Sequence, residues 1–269
     1  MKLTILTENT AGSHFLAEHG LSFLIEHDGK TILFDTGHSD VFVKNAEKRN
    51  INLQQDIDLV VLSHGHWDHG DGLRYLESKP LLTHPLAFMK RFRKKDGTFL
   101  GLSLSESSIR KKYEVITSAQ HCRISEHIYF LSEIPRQNKF ESQTTPFMDA
   151  NGADDFVPDD SALAIIDNQK LTLITGCSHS GICNICEHAK QVTGISTIER
   201  VIGGFHLKHN DDQTQQTIRY FQHENVRQLM PSHCTELPAM AAFHSAFGIS
   251  QLKTGQTINF NHTTDKRSI

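Results

Sequence analysis

One segment of the chain is dense in chemistry: His64-Gly65-His66-Trp67-Asp68-His69 brings three imidazoles and a carboxylate together within six residues. Imidazole nitrogen and carboxylate oxygen form a mixed donor set that suits Zn, Fe or Mn better than Ca or Mg. Four such side chains cannot all point one way from a regular strand or helix, but a strand-to-helix loop lets them converge from two directions. Two neighbouring divalent transition-metal ions fit that convergence, with His64 and His66 on one and Asp68 and His69 on the other. Gly65 and Gly70 are expected to let the backbone turn tightly. Downstream, His179 in GCSHSG, His206 in GGFHL and His233 in PSHCT each close an apolar run, where a layered α/β sheet displays its binding residues. Asp160, with Asp159 beside it, opens SALAII as a further carboxylate candidate. The bland alternatives are a solvated loop that happens to be His-rich, and histidines satisfied at the edge of the core.

The elements that must position these residues follow from periodicity. KLTIL, LSFLIEH and TILFDTG are β-branched, apolar runs, and Asp28-Gly29 between the last two is a type I′ hairpin signal. SDVFVKNAEKRN has helical spacing with Ser39 or Asp40 as its cap, and DIDLVVLSHG is a buried strand running into the histidine loop. From about 80 to 147 the pattern loosens, with a basic helix expected over PLAFMKRFRKK, Ser-rich loop material and a short strand in HIYFLSEIP. Regularity returns at Ser161. Two strands with a turn at Asp167-Asn168, a helix over ICNICEHAKQV, strands at RVIGGFH and QLMPSH, and helices over QTQQTIRYFQHEN and LPAMAAFHSAF complete the chain. This predicts layered α/β architecture, a single domain over 1–269 with an insertion at about 80–147.

Composition narrows the function classes. Lys and Arg number 27 against 31 Asp and Glu, a net charge of -4, the wrong sign for a protein that neutralises nucleic-acid phosphates, so no nucleic-acid partner is expected. No apolar run approaches the roughly 20 residues of a membrane span, and MKLTILTENTAG lacks a signal-peptide apolar region, which makes the cytoplasm the expected compartment and a membrane partner unexpected. The five cysteines, Cys122, Cys177, Cys183, Cys186 and Cys234, read as free thiols, with Cys183 and Cys186 as small buried residues on a helix. Phosphate-binding glycine fingerprints are absent. Lys90, Arg91, Arg93, Lys94 and Lys95, with Arg110, Lys111 and Lys112, are a candidate phosphate site or simply a solvated face. Oligomeric state is not fixed by any of these features.

The motif HxHxDH, preceded by the FDTG turn at Asp35 and followed by histidines at strand ends, resembles the metallo-β-lactamase superfamily. Within it, EHGLSFLIEHDGKTILFDTG, LSHGHWDHGDGL, SEIPRQNKFE, DDSALAI, LITGCSHSGICNI, VIGGFHL and PSHCT together resemble, over nearly the whole chain, the subfamily named for the dihydropterin ribofuranosylaminobenzene 5′-phosphate synthase of methanopterin biosynthesis. The resemblance implies a four-layered αββα sandwich with a dinuclear metal site between the sheets. It puts His64 and His66 on the first metal, Asp68 and His69 on the second, His233 as the second metal's closing ligand, and Asp35 behind them holding the loop. The chain departs from the pattern in the middle. A His before the strand pair SALAII and LTLITG and a bridging Asp after it are replaced by Asp159-Asp160 and Cys177. His179 is assigned as the third histidine ligand and Asp160 as an additional one, while Cys177 and the bridge are left open.

Two reactions are consistent with that resemblance: hydrolysis, and a transfer that displaces pyrophosphate from a dihydropterin methyl carbon. The expected substrate is a phosphorylated or pterin-like small molecule, with Asp68 and His206 as catalytic candidates and Glu18, His19 and Arg136 as substrate-binding candidates. Two Zn ions are the expected cofactors, with Fe or Mn as alternatives. A ligand sensor without catalysis and a phosphodiesterase or nuclease of the same superfamily are the competing functions.

Overall fold

The computed structural model describes residues 1–260. In chain order these form β1 (Lys2–Thr7), β2 (Ser22–His27), β3 (Lys30–Phe34), α1 (Val41–Lys48), α2 (Leu53–Asp56), β4 (Leu59–Val61), α3 (Trp67–Gly70), β5 (Pro80–Thr83), β6 (Arg91–Arg93), α4 (Glu106–Lys112), β7 (Glu114–Thr117), β8 (Cys122–Arg123), β9 (Ile128–Leu131) and β10 (Phe147–Asp149). The second half adds β11 (Ala162–Asp167), β12 (Lys170–Thr175), α5 (Ile182–Thr193), β13 (Ile198–Gly204), α6 (Asp212–His223), β14 (Gln228–Ser232), α7 (Leu237–Phe247) and β15 (Thr257–Asn259).

The strands make two large sheets, one ordered β15-β1-β2-β3-β4-β5-β7 and the other β14-β13-β12-β11-β9-β8, plus a small ribbon of β6 and β10. Period-two alternation decides what lies between them. Leu3, Ile5, Phe23, Ile25, Ile32 and Phe34 of the first sheet meet Phe130, Leu163, Ile165, Ile174 and Ile202 of the second in one core. Their alternate neighbours face outward: Leu6, Leu24 and Leu33 pack against Phe42 and Ala46 of α1, and Ala162, Ala164, Leu171 and Leu173 pack against α5, α6 and α7. The result is the expected four-layered αββα sandwich. Each fully buried Leu, Ile or Phe side chain in these layers contributes about 1.5–3 kcal/mol of transfer free energy.

The β2–β3 hairpin turns at Asp28 and Gly29, both at positive φ (50° and 67°), as the type I′ signal requires. Elsewhere the expectations need correction. The β11–β12 turn is at Asn168 and Gln169 (φ 51° and 58°), one residue later than expected. Neither expected cap closes α1: the Asp40 side chain makes no cap bond and pairs with Lys44, and Ser39 Oγ accepts only a 3.4 Å bond from Val41 N. PLAFMKRFRKK is not a helix. Pro85–Phe88 is a short 3-10 turn and Arg91–Arg93 is β6, because Arg91 is fully buried between Asp155 and Asp159, which a solvated helix face could not provide. The segment 80–147 is also woven into the sandwich, with β5 and β7 extending the first sheet and β8 and β9 the second.

Candidate metal centre

The chain leaves β3, β4, β12, β13 and β14 at one edge of the sandwich, and those exits carry the candidate residues: Asp35 after β3, Ser63 and His64 after β4, Cys177 and His179 after β12, His206 after β13 and His233 after β14. Four of these exits contain a residue other than glycine at positive φ: Asp35 (57°), Ser178 (59°), His206 (51°) and His233 (50°). Such backbone is uncommon for these residue types and persists where the surrounding structure over-determines it. Gly65 is needed for close approach and not for a turn, since a Cβ there would lie 1.8 Å from the Ala87 carbonyl oxygen. A Cβ on Gly70 would instead meet the movable end of the Leu102 side chain, a milder constraint, and neither glycine is in the left-handed region.

The side chains converge as two sets. The donor atoms of His64, His66 and His179 lie within 4.8 Å of one another. In the second set, His233 Nε2 is 3.1 Å from His69 Nε2 and 3.3 Å from Asp68 Oδ2, and His69 Nε2 is 3.9 Å from the same carboxylate oxygen. His19 joins from the rim, its Nε2 3.2 Å from Asp68 Oδ2.

Hydrogen bonds behind the rings choose the tautomers. Asp35, fully buried, accepts from Ser63 N (2.7 Å), Ser63 Oγ (2.7 Å) and His69 Nδ1 (2.6 Å). The Ser63 hydroxyl gives its proton to Asp35, so its lone pair accepts from His64 Nδ1 at 2.9 Å. Asn9 donates its amide to the His233 carbonyl and therefore offers its oxygen to His233 Nδ1 at 3.0 Å. His64, His69 and His233 are thus each protonated on Nδ1 and turn Nε2 toward the centre, the arrangement by which outer hydrogen bonds orient metal-binding imidazoles.

Electrostatics follow burial. Loss of water pushes His64, His66 and His179 down, His66 to about 3, and the neighbouring positive groups add to this, so all three are neutral donors. Burial acts the same way on His69, but Asp35 and Asp68 outweigh it and raise the ring to about 9. Asp68 stays well below the usual carboxylate range because His69, His19 and His233 overcome its desolvation. The buried Nε2 atoms of His66 and His179 have no hydrogen-bond partner. Orphaned imidazole nitrogens in a dry pocket are costly unless a cation takes their lone pairs, so the donor set fits divalent metal ions.

A cleft of about 360 Å³ opens onto this cluster, walled by Trp67, Phe147, His206 and Cys177, with Arg93 and Lys208 also lining it. Phe147, on the β6–β10 ribbon, stacks edge-on against His66 and His179.

Other expected residues fall elsewhere. Asp160 is in neither donor set: one oxygen accepts from Ser180 N, and burial raises the carboxyl to about 6. Glu18 accepts from the backbone of His38 and Ser39, so it fixes the loop before α1 and does not line the cleft. Arg136 bonds the Phe156 carbonyl and sits over that ring, away from the cleft. Of the expected basic face, Arg91 is enclosed by Asp155 and Asp159, Arg93 pairs with Asp96, Lys94 with Asp154 and Arg110 with Glu106. Cys183 and Cys186 are buried in the helical layer. Sequence reasoning missed Glu8, whose carboxylate accepts from His233 N, and Asn9. It also missed the role of Asp159, which accepts from Gly65 N at 2.7 Å while gripping Arg91 with both oxygens, and so pins the histidine loop.

A family model described as the metallo-beta-lactamase superfamily matches residues 17–80. An uncharacterized protein of Methanocaldococcus jannaschii is 34% identical over 88% of this chain and 92% of its own length. The 7,8-dihydropterin-6-methyl-4-(beta-D-ribofuranosyl)-aminobenzene-5′-phosphate synthase of the same organism is 31% identical over 97% of both chains. A crystal structure described as a metal-dependent hydrolase of the beta-lactamase superfamily superposes with a TM-score of 0.87 at 29% identity, covering 97% of this chain and 100% of that one.

Proposed function

This chain belongs to the metallo-β-lactamase superfamily, in the family that includes the dihydropterin synthase relative, and on that premise we propose that it is a dinuclear metal-dependent enzyme that hydrolyses a phosphorylated small molecule. The observation that carries the proposal is the convergence of two complete donor sets, His64–His66–His179 and Asp68–His69–His233, on one cleft. Two divalent ions, Zn by the N/O donor set, would supply Lewis acidity at the attacked group and bring the pKa of water toward neutrality.

The chain's own residues do the rest. Trp67 and Phe147 offer flat walls to a ring, and Lys208 places positive charge at the cleft, beside an Arg93 already paired with Asp96. His206 faces the same cleft with its Nδ1 buried and unpartnered, which suits it to hold a proton for a leaving group. Asp68, fixed between His19 and His233, would hold an ion beside the reacting end of the substrate. Hydrolysis is favoured over transfer because the arginines offered for a departing diphosphate are already engaged: Arg91 by Asp155 and Asp159, Arg93 by Asp96 and Arg136 by the Phe156 carbonyl. A second reading, alkyl transfer from a dihydropterin diphosphate, is favoured by the 31% identity to a synthase along almost the whole chain.

The test is metal analysis of protein purified without added metal, followed by a panel of phosphodiesters, phosphomonoesters, lactones and a dihydropterin methyl diphosphate. Two metals per chain with turnover of a phosphoester supports the proposal. Pyrophosphate release that requires an arylamine acceptor moves the protein to the second reading. Failure to retain metal after reconstitution removes both.

A further inference from the structure

Between the two donor sets stands a sulfur atom. Cys177 Sγ lies 3.1 Å from His69 Nε2, and it forms a group within 4.8 Å with the donor atoms of His64 and His69, one residue from each set. The thiol is 4% exposed. Since His69 donates Nδ1–H to Asp35 and His64 donates Nδ1–H to Ser63, each ring leaves Nε2 as the atom through which it would bind a metal.

The backbone is shaped to bring this sulfur in. A Cβ on Gly176 would lie 2.2 Å from Ser63 Oγ, so only glycine lets the end of β12 press against the residues behind the ligands. A Cβ on Gly204 would lie 2.4 Å from the Gly176 carbonyl oxygen and 3.2 Å from Cys177 Cα, which holds the neighbouring strand equally close. Ser178 at φ 59° then turns the chain away, leaving Cys177 directed at the centre and His179 at the first donor set. The other nearby thiol, Cys234, is 3.5 Å from the Cys177 carbonyl oxygen and forms a further donor group with Cys177 and His206.

We propose that Cys177 is a thiolate ligand shared between the two metal ions, taking the position that a bridging carboxylate would otherwise fill. The proposal rests on the dinuclear centre of the preceding section. On binding, the thiol would give up its proton to solvent and the thiolate would donate one lone pair to each ion, which would bias the centre toward thiophilic ions, Zn, Co or Fe(II), over Mn or Mg.

Cobalt(II) titration of the metal-free full-length chain tests this, because thiolate ligation to cobalt produces an intense near-ultraviolet sulfur-to-metal charge-transfer band. The expected result is two equivalents bound with that band present, its loss in Cys177→Ser and in Cys177→Asp, and its retention in Cys234→Ser and Cys183→Ser. Cys177→Asp is expected to keep two equivalents, which separates loss of the sulfur ligand from loss of the fold. Two equivalents without the band overturns the thiolate bridge and leaves the dinuclear centre standing. One equivalent or none overturns the dinuclear centre and the bridge with it. A band that survives Cys177→Ser and disappears in Cys234→Ser overturns the assignment in favour of the other thiol.

Discussion

Asp35→Asn is the sharpest test of how the centre is held. The carboxylate meets three donors with two oxygens: Ser63 N on Oδ1, and Ser63 Oγ with His69 Nδ1 on Oδ2. An amide replaces one oxygen with two N–H donors, so at least one of the three partners then faces a donor. His69 can relieve the conflict by moving its proton from Nδ1 to Nε2, but that points an N–H at the centre and removes the lone pair a metal needs. The loss is about one charge-assisted hydrogen bond, roughly 1.5–3 kcal/mol, and at about 1.4 kcal/mol per decade it weakens metal binding by roughly 10- to 100-fold. Competition against a chromophoric zinc chelator measures this, with far-ultraviolet circular dichroism to show that the fold is kept. An ion bound by Asp68, His69 and His233 would be the first to be lost, since His69 is the ring that Asp35 orients. Wild-type affinity in the variant, or a structure with Asp35 itself on a metal, would refute the role given to it.

Arg91→Met leaves Asp155 and Asp159 as uncompensated buried charges and should cost about 3–5 kcal/mol in urea unfolding; a loss below about 1 kcal/mol would show that the ion pairs are not holding the histidine loop. Glu141 is raised by burial despite accepting from Cys183 N and Asn184 N at the start of α5. Its contribution is therefore full below the usual carboxyl pKa and is lost as pH rises through the raised value, so the stability gap between wild type and Glu141→Gln should shrink as the pH is raised above the usual carboxyl range. A widening gap contradicts that direction. Metal removal by a chelator should lower the melting temperature, because a ligand at a thousandfold excess over its Kd stabilises the folded state by about 4 kcal/mol; identical melting with and without chelator would mean that the folded chain holds no ion.

The central strands were legible because each carries its own instruction. In β2 and β3 the alternation that sends Phe23, Ile25, Ile32 and Phe34 to one side and Leu24 and Leu33 to the other is written in consecutive residues, and the turn residues between them permit only a tight hairpin. β5 and β7 are four-residue runs, PLLT and EVIT, whose strand state comes from parallel pairing with neighbours far along the chain. The basic run around Arg91 misled for the same reason. Its charge suggested solvent, and its partners, Asp155 and Asp159, lie more than sixty residues away.

The centre divides along the same line. Metal-binding side chains belong to few residue types, so His64, His66, Asp68 and His69 announce themselves by spacing alone. The residues that aim them carry no such mark. Glu8, Asn9, Ser63 and Asp159 act through hydrogen bonds, and three of the four span long stretches of chain: 225 residues from Glu8 to His233 N, 224 from Asn9 to His233 Nδ1 and 94 from Asp159 to Gly65 N. Backbone strain is equally silent in the sequence. Asp35, Ser178, His206 and His233 take left-handed conformations that glycine would have advertised, yet glycine could supply neither the acceptor at 35 nor the imidazoles at 206 and 233. The fold tolerates strain of order 1–3 kcal/mol at each such exit, held by the sheets on which the exits stand, and it is this rigidity that lets side chains from four separate strand ends meet within hydrogen-bond distance.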